Sequence, residues 1–159
     1  MVAAEERASA HGDWGTMMDW TPTVRFSLDD GAYPPGRAHD TDAGSDLRTP
    51  VMLRVPPHDS AVVDLGVHVE LPPHACGLLV SKSGLNVVHA LTSTGLIDQG
   101  YSGPMRVRIY NDGPDWYLFR AGDKVTQIVL LPVLYPTWRG CAAVEGGERG
   151  DAGFGSTGR

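Results

Sequence analysis

What most constrains this chain is a period-two apolar alternation that recurs along it but never lasts long. Val63, Leu65, Val67, Val69 and Leu71 alternate with Asp64, Gly66, His68 and Glu70; Met105, Val107 and Ile109 alternate with Arg106, Arg108 and Tyr110. Val24, Phe26 and Leu28 likewise bracket Arg25 and Ser27. Each run predicts a strand with one buried face. Further strands are expected at Val51–Val55, Gly77–Ser81, Trp116–Phe119 and Val125–Val133, the last so continuously apolar that both its faces should be covered. Asp29-Asp30-Gly31, Pro56-Pro57, Pro72-Pro73 and Asn111-Asp112-Gly113 supply the turns between them. With 20 glycines and 12 prolines the chain cannot sustain long helices, and at most one short helix fits, around Leu85–His89. These features predict an all-β antiparallel sandwich or jelly roll.

At 159 residues the chain suits one domain with a real core. Its 42% hydrophobic and 20% charged residues fit neither a disordered acidic chain nor a membrane protein. No apolar run approaches the roughly 20 residues of a membrane span. The start, MVAAEERASAHGDW, lacks the apolar stretch of a secretory signal, so a cytoplasmic protein is expected. A net charge of −6 argues against nucleic acid as a partner, which would want a basic face. Cys76 and Cys141 lie far apart and read as small buried hydrophobes, and the six histidines show no zinc-ligand spacing. Three regions are expected: a polar arm over 1–21, a β domain over 22–144, and a tail over 145–159 with six glycines and one large apolar residue, Phe154.

Four segments carry polar chemistry, each with a plain structural alternative. Ser81-Lys82-Ser83-Gly84 puts a cation, two hydroxyls and an open amide at a strand end, suited to phosphate oxygens or simply to a polar turn. Gly95–Tyr101 holds Asp98 and Tyr101 in a Gly-bounded hairpin, either a base beside an aromatic wall or an Asp capping its own backbone. Arg149–Gly158 combines an arginine fork, hydroxyls and open amides with Phe154, fit for a polyphosphate and a base or for a free tail. Asp46, in Ala43-Gly44-Ser45-Asp46-Leu47, could bind a metal or satisfy backbone amides.

Taken together and in order, these segments resemble the five motifs of the trimeric dUTPase family. The first is similar to Ala43–Leu47, the second to Ser81–Leu85, the third to Gly95–Gly103, the fourth to Ala121–Gln127 and the fifth to Arg149–Gly158. The resemblance runs from Val24 to the C-terminus; its third and fifth motifs are the specific ones. It implies a distorted jelly-roll (β-clip) subunit, a homotrimer with shared active sites, and hydrolysis of dUTP to dUMP and pyrophosphate. Such an activity limits uracil in DNA and supplies dUMP for dTMP synthesis. It also implies Mg2+ held by substrate phosphates and waters, with no direct protein ligand.

Residue by residue, the resemblance makes Asp98 the base that activates water and Tyr101 the wall that excludes a 2′-hydroxyl. It makes the hairpin from Thr92 through Leu96 and Ile97 the reader of the uracil edge. Lys82, Ser83, Gly84 and Gln127 would contact phosphates, and Asp46 would play a supporting structural role. Arg149, Ser156 and Thr157 would clamp the γ-phosphate, with Gly155 beside them and Phe154 over the base. Three positions depart from the family pattern: Lys82 and Ser102 stand where arginine is usual, and Thr92 where asparagine is common. Arg106 stands at a site-lining position and compensates in part for Lys82. The competing readings are a dCTP deaminase-like enzyme and a regulatory binding protein on the same scaffold. The first lacks its shuttle glutamate, having Arg108 instead, and the second has no use for a positioned base.

Overall fold

The computed structural model describes residues 21–144 and Gly147. The rest of the expected arm and tail lies outside the described residues, including Arg149, Phe154, Gly155, Ser156 and Thr157. Among the described residues the chain forms β1 (Arg25–Leu28), β2 (Gly44–Arg48), β3 (Leu53–Val55), β4 (Asp59–Asp64), β5 (Val67–Glu70) and β6 (Ala75–Val80). A single short helix, α1 (Ser83–His89), precedes β7 (Leu91–Ile97), β8 (Arg106–Asn111), β9 (Tyr117–Phe119) and β10 (Lys124–Pro132). The fold is thus all-β with one short helix, as the alternation predicts. No helix among the described residues is long and apolar enough to cross a membrane.

Six strands form the main sheet in the order β2-β10-β6-β7-β8-β4, and β1-β5 and β3-β9 form two further ladders, all pairings being antiparallel. The inward residues of these strands make one core, with Leu47, Leu65, Leu79, Leu91, Met105, Ile109 and Phe119 fully enclosed. Burying one such side chain is worth about 1.5–3 kcal/mol, which is what sets the register of each strand.

Several expectations are corrected. The long alternation Val63–Leu71 is two strands, because the chain bends at Leu65-Gly66. There the Asp64 carboxylate accepts the Gly66 N–H at 3.0 Å, and Leu65 N–H and Val67 C=O both turn to Met105. β1 has no fully buried face. Phe26 and Leu28 pair with Val69 and Val67, but at the periphery, where Phe26 stays 50% exposed. β10 is covered on both faces only in its first half, since Leu131 near its end is exposed. β2, read from sequence as a polar segment, is a strand because Leu47 enters the core. Cys76 is buried as expected, whereas Cys141 is exposed, on the extended chain after β10 that packs little against the core.

Candidate active site

The polar segments gather at two places on the described chain. The first is the bend between β7 and β8. These strands pair with one another only over Leu91–Ser93 and Ile109–Asn111. Beyond Ser93, Thr94–Ile97 register with β6 and Arg106–Arg108 with β4, so the hairpin's limbs part and leave a mouth edged by main chain. Thr92 lies in the paired base of this hairpin, opposite Tyr110, while Leu96 and Ile97 border the mouth. The Ile97 side chain is buried in the core, so only its main chain can face a ligand, whereas Leu96 is exposed.

At the tip, Tyr101 N–H bonds the Asp98 carbonyl at 3.2 Å, closing a four-residue turn with Gly100 in the third position at φ +87°. Asp98 is exposed, its carboxylate open to water, and Tyr101 is half-exposed with its hydroxyl donating to the Pro104 carbonyl at 3.0 Å. Arg106 opens β8 just after the bend and its Nε bonds Asp64 Oδ2 at 2.8 Å. Burial pushes the Asp64 carboxyl upward, but the Gly66 N–H and Arg106 outweigh it and hold the group below the usual range. Arg108 faces out from the same strand and donates to Ser60 Oγ at 2.9 Å.

The second place is a polar cleft of about 320 Å³ lined by Gly44, Asp46, Lys82, Lys124 and Gln127, with Ala38 and Asp42 at its edge. Asp46 is only 7% exposed and grips two ammonium groups, Lys82 on Oδ1 and Lys124 on Oδ2, the latter at 2.6 Å. Burial drives its pKa up, yet the bonds from Lys124 and Lys82 prevail, so the carboxyl sits below its ordinary value. Lys82 immediately precedes α1, and Ser83 and Gly84 form the exposed first turn of that helix. Gln127 donates to the Ser81 carbonyl at 3.1 Å, so its side chain positions the strand end that carries Lys82.

Sequence reading missed part of this cleft. Lys124 and Gln127 are three apart and would point to opposite faces of a regular strand. A register shift between Lys124 and Thr126 adds the odd residue and brings both to the cleft. The signal was present in Ala121–Gln127, but a bulge is not readable from spacing. Beneath the cleft, buried Thr126 Oγ1 bonds Ser93 Oγ at 2.9 Å and the Val80 carbonyl at 3.0 Å, while Ser93 N–H bonds Ser81 Oγ at 2.7 Å. This network fixes the chain entering α1. Among the described residues no three His, Cys, Asp or Glu side chains group as a metal cage.

The bend and the cleft sit at opposite ends of the β6–β7 hairpin. Val80 registers with Thr94 and Gly77 with Ile97; extending that register past the end of β6 sets Lys82 near the level of Thr92, and Asp98 lies six residues further on. At the rise of an extended strand that is about 20 Å.

Known proteins are similar to this chain in sequence and fold. A family model described as dUTPase matches residues 32–158. A deoxyuridine 5'-triphosphate nucleotidohydrolase of Clostridium kluyveri is 35% identical over 130 residues, which are 80% of this chain and 91% of that protein. The mitochondrial deoxyuridine 5'-triphosphate nucleotidohydrolase of Homo sapiens is 33% identical over 138 residues, 86% of this chain and 55% of that protein. Among solved structures, a mutant Staphylococcus bacteriophage 80alpha dUTPase with dUpNHpp superposes with a TM-score of 0.81 at 29% identity, covering 87% of this chain and all of that one. Because the match runs through the bend, the cleft and the glycine-rich C-terminal motif alike, the chain belongs to the dUTPase family.

Proposed function

We propose that this protein hydrolyses dUTP to dUMP and pyrophosphate, at sites completed by neighbouring copies in a homotrimer. The observation that carries the reading is the β7–β8 bend, where a solvent-open carboxylate and a pinned aromatic ring flank a mouth of main-chain groups. In this reading the uracil edge enters the mouth beside Leu96 and Ile97, and Tyr101 packs on the deoxyribose where a 2′-hydroxyl would collide. Asp98 takes a proton from a water that attacks the α-phosphorus. The bond to the α,β-bridging oxygen breaks and pyrophosphate leaves.

A strand-rise separation of about 20 Å is more than the few ångströms between a water held at Asp98 and the phosphates that Lys82 would hold. Lys82, Ser83, Gly84 and Gln127 of one copy would therefore serve the Asp98 of another, and Arg149, Phe154, Gly155, Ser156 and Thr157 would close the site. Asp46 serves by holding Lys82 and Lys124 in place for phosphate oxygens. Arg106, held through its Nε by Asp64, places a guanidinium beside the bend.

The cleft offers cations to phosphate oxygens, which suits Mg2+ carried by phosphates and waters. When bound, the ion would neutralise and orient the phosphates; one solved relative is described as coordinating a structural Mg(II) ion.

The test is pyrophosphate release from dUTP, dTTP, dCTP and UTP, with magnesium and after chelation. Turnover of dUTP alone, lost on chelation, is expected. Asp98→Asn should lower kcat by about 10²–10⁴, and light scattering should give three 17.0 kDa chains. Turnover of dCTP, or an equally active Asp98→Asn, would overturn the reading.

A further inference from the structure

His68 stands on β5 between Val67 and Val69, whose side chains enter the core, so its own ring turns outward. Nδ1 lies 2.8 Å from the Ser102 carbonyl oxygen, and Nε2 lies 3.1 Å from Asp29 Oδ1. A carbonyl and a carboxylate can only accept. A neutral imidazole carries one N–H and satisfies one of them; both contacts together require the imidazolium. Ser102 is the neighbour of Tyr101 in the bend, and Asp29 belongs to the turn after β1. The ring therefore ties the bend to a separate ladder of the fold.

We propose that His68, as the imidazolium, is a positioning residue that holds Ser102 and so keeps Asp98 and Tyr101 placed for the nucleotide, and that it slackens as the ring loses its proton. The charged groups acting on it come from two elements, one of them paired in turn with a third. Asp29 follows β1 and Asp64 ends β4, both anionic, while Arg106 on β8 is already spent on Asp64. The Ser102 carbonyl first, then Asp29, favour the protonated ring over the small desolvation that opposes it, so His68 holds its proton above the ordinary histidine range. The sign follows. The folded state binds the proton more tightly, so the contacts are complete in mild acid and are lost as pH rises through the folded value.

This inference rests on the dUTP-hydrolase reading for its consequence but not for its geometry, and two measurements separate them. NMR titration of the His68 ring in the full-length protein, assigned by comparison with His68→Gln, should give a pKa above the free-imidazole value of about 6.5, lowered in Asp29→Asn. A value at or below the free one overturns the clasp whether or not dUTP is cleaved. The pH profile of kcat/KM between about pH 5.5 and 9 should show wild type exceeding His68→Gln by about fivefold at the acid end, converging as the ring deprotonates. A ratio independent of pH overturns the positioning role. Absence of any pyrophosphate from wild type would sink the hydrolase reading and leave the titration to decide the clasp.

Discussion

The ring of Tyr101 lies so close on Gly103 that a Cβ built there would stand 2.5 Å from the phenolic oxygen and 2.7 Å from Cζ. Gly103→Ala must therefore push the ring off the bend. In the proposed role of Tyr101 as the wall against the sugar, kcat/KM for dUTP should fall about tenfold or more and preference over UTP should weaken once the ring is displaced. The loop is at the surface, so the melting temperature should move little. Steady-state kinetics on both nucleotides and one melt check this; an unchanged dUTP-to-UTP ratio would contradict it.

Asp46 joins Lys82 and Lys124 with little access to solvent. Asp46→Asn leaves two ammonium groups sharing a cleft without their counter-charge. It should cost about 2–3 kcal/mol near neutral pH, less than the roughly 3–5 of a fully buried pair, because both lysines reach water and are screened. The native carboxyl titrates below its unfolded value, so the pair's contribution is present above the unfolded value and is lost as pH falls through the folded one. Urea midpoints of wild type and variant should converge in acid. A constant gap across pH would show that the ion pair is not its source.

The proposed sharing of sites between copies makes a distinct prediction. Lys82→Ala and Asp98→Asn proteins, each nearly inactive, should regain activity when unfolded together and refolded as mixed trimers. Random assembly leaves about a quarter of sites with an intact Asp98 from one copy and an intact Lys82 from another. Mixtures no more active than the separate variants would place both residues in one chain's site, against the strand register.

Deleting Glu148–Arg159 removes the fifth motif without touching any described ladder. If the tail closes over the nucleotide as proposed and keeps bulk water from the reacting phosphorus, single-turnover assays should show kcat for dUTP down about 100-fold or more, with the melting temperature near wild type. Full activity of the truncated chain would remove the tail from the mechanism.

The β-strand character of this chain was legible because burial on one face forces alternation, and Met105, Val107 and Ile109 went into the core as their spacing requires. The Gly-bounded turn that carries Asp98 and Tyr101 was legible from its glycines, whereas the roles given to the two residues came from the family resemblance and not from their spacing. Lys124 was not legible, because a bulge reverses the face on which a strand residue emerges. His68 was not legible either: its partners Asp29 and Ser102 are 39 and 34 residues away in sequence.

The amino-acid order by itself determined most of the strands, the short helix α1 and the set of polar segments, since those depend on local periodicity and turn chemistry. Tertiary structure alone decided which of those segments meet. It set Asp98 and Lys82 at opposite ends of one hairpin, folded Lys124 into the same cleft as Gln127, and carried His68 onto the Ser102 carbonyl. Such contacts follow from strand register and sheet order, which are settled by long-range packing of the core rather than by any neighbour along the chain.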